Sequence, residues 1–287
     1  MNSCKAILSI CMQNIRKWCK DYRIWSIAIL LVIIIQIYVD DIKNISSFLE
    51  ADVPVWIFPF MYSQFYTKLL FTIPIILLFC NAPFIDDNQV YVYIRAGRRK
   101  WILGQILYIF LASAIYYLFI FFVSLLTTSI YGSFEMEWGK VLYTISETNI
   151  ALQRNCLYVE VSSIILDYFT PLQAVWFTFV VSWSNAVLIG MIIFACNYLT
   201  KLKYFGISLS SMLIVFSCFV LNYGRPELIK YSPTSWITLD KIDIGGKTEN
   251  PSFLYCICFY WLAIVGLIIV VFMFSKKKSV DLRLCDL

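Results

Sequence analysis

Apolar residues in this chain fall into long blocks separated by short polar stretches, without the two-residue alternation of strands. Six blocks read as helical spans: 24–39, 69–85, 102–131, 174–199, 205–223 and 253–274. A helix needs about 20 predominantly apolar residues to cross a bilayer. The first block is short and borrows Tyr22 and Trp25 as interfacial anchors. Pro74 and Pro83 lie inside or at the edge of the second and are expected to kink it. The third covers 30 residues, roughly 45 Å of helix, so it must tilt or project beyond the hydrocarbon. In the fourth, Ser182, Ala186 and Gly190 are spaced by four, giving a face of small residues that another helix can approach closely.

Residues 1–23 show a different period. Cys4, Ile7, Leu8, Cys11, Ile15, Trp18, Cys19 and Tyr22 recur at steps of three and four, and Lys5, Ser9, Gln13, Arg16, Lys17 and Lys20 fill the other side. The piece Ala6–Met12 is too short for a signal peptide, and charges follow it instead of a cleavage site. The pattern predicts an amphipathic helix on the inner membrane surface, with cations toward anionic lipid. The alternative is a cytoplasmic helix packed on the protein.

Between the second and third spans, residues 86–101 carry Arg95, Arg98, Arg99 and Lys100 within six positions. Four cations at the centre of a bilayer would cost on the order of 10–14 kcal/mol on the insertion scale, so this stretch lies in water. It has room for one short helix held at both ends by the membrane. The other connections are 40–68, 132–173 and 224–252, with a brief loop around Lys201 and Lys203. In the first of them, Trp56, Phe58, Phe60, Tyr62, Phe65 and Tyr66 suit a segment resting among lipid headgroups.

Charge sets the orientation. Counted over 1–23, 86–101, 200–204 and the 275–287 tail, one side holds 15 of the 23 Lys and Arg residues, although its segments are the shorter ones. Net charge is +10 on that side and −5 on the other. The positive-inside rule then predicts six spans with both termini cytoplasmic, in a cell membrane. Composition agrees: 61% of residues are hydrophobic, 14% are charged and mean hydropathy is +0.77, against about a quarter charged in soluble domains.

The chain has no histidine, which removes Ser-His-Asp and Cys-His catalysis and His-ligated zinc from its own chemistry. Most of the ten cysteines lie in apolar runs, where a thiol acts as a small hydrophobe. Gly246-Lys247-Thr248 resembles the end of a phosphate-binding loop, but the glycine required five residues earlier is Lys241, so no nucleotide site is expected here. The span interiors hold no Asp, Glu, Lys or Arg, which argues against an ion-coupled transporter or a voltage sensor. Their polar residues are Gln36, Asn81, Gln105, Asn185, Asn197 and Asn222. These either bond between helices or line a path for a substrate, for which Asn81, Gln105 and Asn185 are the candidates.

Four features together resemble the permease subunit of an ABC-2 type ABC transporter, as in small bacterial exporters. They are the basic amphipathic helix before span one; the loop running from Asp86-Asp87 to Ile94-Arg95-Ala96-Gly97-Arg98-Arg99-Lys100-Trp101; the polar stretch with Tyr231-Ser232-Pro233 and Asn250-Pro251-Ser252 before the last span; and Lys276-Lys277-Lys278 after it. The resemblance implies an all-α integral membrane fold of six spans, with a coupling helix over about Asp87–Lys100 that seats on an ATPase subunit. Asp87, Tyr91, Val92, Ile94, Arg95, Arg98 and Arg99 would carry that contact. It implies two ATPase subunits, which hold the ATP and Mg, and a second permease subunit, identical or related. The loop before span six would form a cap or re-entrant structure. The chain itself would be no enzyme, hold no cofactor or metal, contact membrane lipid and bind no nucleic acid. The competing reading is a non-transporting membrane interaction protein, a sensor or immunity module.

Overall fold

The structure, a computed structural model, describes residues 3–85, 87–200, 202, 204–223, 226–243 and 249–275. The Gly246-Lys247-Thr248 sequence and residues 276–287, with the lysine triplet, lie outside them. Among the described residues the regular structure is helical, apart from one two-residue parallel pairing and the single bridge between Asp243 and Ser252. In order the elements are α1 (Ser3–Arg16), a 3-10 turn (Lys17–Lys20), α2 (Tyr22–Leu49), β1 (Val53–Pro54), a 3-10 turn (Phe58–Tyr62), α3 (Phe65–Phe79), α4 (Asp87–Ala96), α5 (Arg98–Ser129) and β2 (Gly132–Ser133). There follow α6 (Gly139–Glu147), α7 (Ile150–Gln153), α8 (Ser163–Tyr168), α9 (Pro171–Thr200), α10 (Phe205–Tyr223), 3-10 turns at Pro226–Tyr231, Pro233–Ile237 and Leu239–Lys241, and α11 (Phe253–Ser275).

Four of these helices, α2, α5, α9 and α11, are long and apolar enough to cross a membrane. The apolar helices α3, with 15 residues, and α10, taken over Phe205–Leu221, are shorter. At about 1.5 Å per residue α3 reaches roughly 22 Å, short of a hydrocarbon core of about 30 Å. Side-chain exposure supports a lipid surround. Ile29, Ile33 and Ile37 of α2 and Leu254, Leu262 and Met273 of α11 stay exposed on faces where a water-soluble bundle would place charge.

The centre is α9, whose most apolar window is 78% buried. Ser182, Ala186 and Gly190 lie on its enclosed part. A Cβ on Gly190 would stand 2.7 Å from Ile109 Cγ2 and 3.0 Å from Phe79 Cδ2, so α3, α5 and α9 converge there at backbone distance. Asn197, near the end of α9, donates to the Ala82 carbonyl at 2.9 Å and accepts from the Gly206 amide at 2.9 Å, tying α9 to the α3–α4 connection and to α10.

Helix ends differ from the apolar blocks in instructive places. The first block stops at Val39, but α2 continues through Asp40 and Asp41 to Leu49. Charge limits how far a helix sits in lipid without breaking its backbone. Gln36 donates to Asp40 at 3.0 Å one turn on, Ile42 and Ile45 are buried, and Glu50 in the left-handed region (φ 48°) ends the helix. At the other boundary, Arg98 to Lys100 form the first turn of α5 and do not belong to α4.

Of the aromatic stretch expected among headgroups, Trp56, Phe58, Phe60 and Tyr62 are protein core instead, while Phe65 is half-buried and Tyr66 exposed. Val53 to Tyr62 is buried throughout. Phe58 packs edge-on to Phe121 at 5.7 Å and Phe60 to Trp138 at 5.0 Å. The reason is a folded layer above it: β1 pairs with β2, α6 packs on β1 and α8 on α6, and Trp56 Nε1 donates to the Glu135 carbonyl at 2.9 Å. The 3-10 turns before α11 join this layer. Trp236 is wholly enclosed and donates to the Ile229 carbonyl at 2.7 Å, and the Tyr260 hydroxyl of α11 donates to the Pro233 carbonyl at 2.6 Å.

At the start of α2, Asp21 is the N-cap. It accepts from the Arg23 amide at 3.0 Å and pairs with the Arg23 guanidinium at 2.6 Å. The hydrogen bond from the Arg23 side chain holds the carboxyl below the ordinary aspartate range. Asp21→Ala should cost about 1 kcal/mol at neutral pH through the lost cap. Because the folded carboxyl is the stronger acid, this contribution is complete above the ordinary aspartate value and lost as pH falls through the lower folded value. Thermal unfolding of both proteins in detergent between pH 7 and pH 3 should show the gap closing only at the acid end.

Candidate functional site

One end of the bundle gathers α1, α4, the first turns of α5 and the end of α11, with Arg16, Arg95, Arg98, Arg99 and Lys100 on these helices. Its arrangement begins with Gly97, the single residue between α4 and α5. Gly97 has φ 82° and ψ 152°, a combination essentially restricted to glycine. Its amide donates to the Tyr93 carbonyl at 3.0 Å and its own carbonyl accepts from the Trp101 amide at 3.1 Å. It therefore closes one helix and opens the next, turning the chain sharply between them.

Helix α1 packs on the start of α5. Ala6, Ile10, Cys11 and Asn14 are its buried residues. A Cβ at Gly104 of α5 would fall 2.6 Å from Ile10 Cγ2, so the glycine is what lets α1 sit so close. The buried line is rotated from the apolar face expected of a surface helix: Leu8 and Met12 remain exposed beside it. One edge of the apolar face thus grips the protein, and the other stays open.

A buried polar chain links the three helices. Asn14 Nδ2 donates to Gln105 Oε1 at 2.7 Å, Gln89 Nε2 to Asn14 Oδ1 at 3.4 Å, and Trp101 Nε1 to Gln89 Oε1 at 2.9 Å. Lys17 Nζ reaches the same Asn14 oxygen at 3.4 Å. Asn14, Gln89, Trp101 and Gln105 are each at most 3% exposed. Each such bond contributes roughly 0.5–1.5 kcal/mol, but stranding a buried partner costs about 1–3 kcal/mol, so the members hold one another in place. The Trp101 ring continues the path, edge-on to Tyr93 of α4 at 5.7 Å and tilted against Tyr198 of α9 at 6.4 Å.

The outer face of α4 is the converse. Tyr91 is 74% exposed and Ile94 72%, and Arg95 beside them is also exposed. Spaced by three and four, these residues share one face. Val92 is half-buried on the inner side. The seven residues expected to act together therefore separate. Tyr91, Ile94 and Arg95 face outward from α4, and Arg99 is exposed on the first turn of α5. Arg98 turns inward: its Nε donates to the Tyr93 hydroxyl at 2.7 Å and its Nη1 to the Ser275 carbonyl, so it clasps the end of α11. Asp87 opens α4, and its side chain lies outside the described residues.

Asn81, Gln105 and Asn185 are not joined. Asn81 is exposed in the connection after α3, and Gln105 belongs to the polar chain with Asn14. Asn185 is 1% exposed on α9, and its amide has no hydrogen-bond partner among the described residues. Thr178, Ser182 and Asn185 form a buried polar stripe on one face of α9; the Thr178 and Ser182 hydroxyls, like the Tyr117 hydroxyl of α5, have no hydrogen-bond partner among the described residues.

Asn14, Gln89, Trp101 and Gly97 were not singled out by sequence. The one available signal was Asn14, an amide three residues after Cys11 on the apolar side of its helix. Lys68, the last residue of the 40–68 connection, is buried in the first turn of α3, where Nζ lies 3.5 Å from Thr238 Oγ1. No cluster of metal-binding side chains occurs among the described residues. No family model, curated protein or solved structure matches the chain.

Nothing crowds a Cβ at Gly97, so substitution there tests backbone conformation alone. Gly97→Ala should strain the α4–α5 turn by about 1–3 kcal/mol. In hydrogen exchange, amide protection should fall across α4 and remain unchanged in α9.

Proposed function

We propose that this chain is the membrane-embedded permease subunit of an ATP-driven exporter, with six spans crossing a cell membrane and the basic end in the cytoplasm. The observation that carries the reading is the two-sided character of α4. Its inner side is hydrogen-bonded to α1 and α5, and its outer side presents Tyr91, Ile94 and Arg95 to solvent. A short cytoplasmic helix that is fixed inside and apolar outside suits a coupling helix seated on a soluble subunit. Exposed aromatic, aliphatic and arginine side chains in one small patch are typical anchors of a protein contact.

In this reading the ATPase subunits, two copies with their ATP and Mg, bear on α4. Motion of α4 passes through Gln89 and Trp101 to α5, and through Tyr198 to α9. A second permease subunit, the same chain or a relative, completes the pathway. Asn185, with Thr178 and Ser182, supplies polar groups for a substrate inside the bundle. Asn81 and Gln105 fit connection and packing roles better.

The rival reading, a sensor or immunity module without transport, draws on the folded layer over β1 and β2, which is more elaborate than six spans require. ATP dependence separates the two. Tyr91→Ala with Ile94→Ala should reduce recovery of a co-expressed ATPase subunit by tenfold or more, and Arg95→Glu should weaken it further. If no ATPase accompanies the wild-type chain, the exporter reading fails.

Asn185→Leu gives an independent outcome. Replacing a buried amide that lacks a partner should leave thermal stability equal or higher. Substrate transport in vesicles should fall if Asn185 serves the pathway, and stay unchanged if it does not.

A further inference from the structure

A groove of about 280 Å³ opens where the connection from α1 enters α2. Trp18, Trp25, Ala28, Leu78, Ile115 and Phe119 are among its walls, so four parts of the chain contribute to it: the 3-10 turn, α2, α3 and α5. It is lined by apolar and aromatic side chains and climbs α2 from Ile24 to Leu31, about 10 Å along the axis. The Trp18 wall is fixed, because its Nε1 donates to the Tyr108 hydroxyl of α5 at 2.9 Å.

Cations flank the groove residues Trp18, Cys19 and Ile24 along the chain. Residues 16–23 carry Arg16, Lys17, Lys20 and Arg23 against one acid, Asp21. Asp21 is taken by Arg23, while Lys20, next to the groove residue Cys19, is exposed. Beyond the groove, α2 shows Ile29 and Ile33 outward, a surface suited to hydrocarbon. The space is narrow for a peptide helix, which is about 10 Å across with its side chains. It suits a single flexible chain with an anionic end.

We infer that this groove holds one acyl chain of an anionic phospholipid, with the headgroup phosphate beside Lys20. Such a lipid touches the α1–α2 connection, α3 and α5 at once, and so fixes the position from which Asn14 of α1 reaches Gln105 and the polar joint. The inference rests on these helices lying in a membrane and not on an ATPase partner, so it is tested on the permease chain alone.

The probes are phosphatidylglycerol and phosphatidylcholine with matched acyl chains, supplied equally, and the readout is lipid retained by the purified protein in native mass spectrometry. The wild-type chain should keep one phosphatidylglycerol, favoured about tenfold over phosphatidylcholine, as expected for cations near an anionic lipid surface. Ala28→Trp should fill the groove and abolish retention of that lipid. Lys20→Glu, a surface change that leaves the walls intact, should bring the two lipids close to parity. Equal retention of both lipids by the wild-type chain, or an undiminished preference in Lys20→Glu, would overturn the inference. So would full retention by a folded Ala28→Trp. Should Ala28→Trp not fold, the Lys20→Glu comparison decides alone.

Discussion

The hydrogen bond between Asn14 and Gln105 is the contact on which the basic end depends. Helices in lipid gain little from bringing apolar faces together, because the surrounding chains are equally apolar. Close approach and buried polar bonds have to supply the attraction. Here both act at one place: Gly104 lets Ile10 of α1 touch the α5 backbone, and one turn along α1 and one residue along α5 Asn14 meets Gln105. The same asparagine then accepts from Gln89, which fixes the inner side of α4. Without Asn14, Gln89 keeps only its bond from Trp101, and α4 loses its tie to α1 while Tyr93 still holds it to Arg98 and Trp101 of α5.

The main architecture was legible because it follows from hydropathy and length. The blocks that became α5, α9 and α11 are each 22 residues or more in the sequence, and α10 spans 205–223 in both readings. Less legible were places where a polar residue does not end a helix. Asp40 and Asp41 limit what lipid can cover, but an amide one turn back and two buried isoleucines carry α2 onward. The stretch from Trp56 to Tyr62 gave no local sign that other segments would cover it, since its burial depends on α3, α5, α9 and Trp138 at the start of α6. Its aromatic content fits a headgroup layer and a folded core equally well.

The site was legible in outline and not in detail. A cationic loop between two spans marks the position of α4 from charge alone. The direction of each arginine depends on which helix it joins, and that is settled by Gly97. With the break at Gly97, Arg95 ends α4 and faces outward, whereas Arg98 begins α5 and points toward the end of α11. Sequence spacing treats these as one basic cluster. The conformation of one glycine divides it into a surface group and a structural clasp.

That division bears on how force could cross the joint. Arg98 bonds at once to Tyr93 on α4 and to the last carbonyl of α11, on either side of the Gly97 turn. A push on Tyr91 or Ile94 therefore cannot rotate α4 about Gly97 without breaking the Arg98 bonds or carrying α11 along. Charge-assisted bonds of this kind are worth about 1.5–3 kcal/mol each, more than the neutral amide bonds that hold Gln89. The easier path is for α4 to move as one body with α1 and the lower turns of α5. Under the proposed coupling, displacement would reach α9 through Trp101 and Tyr198; α9 is the most enclosed of the four long helices and packs on both α10 and α11.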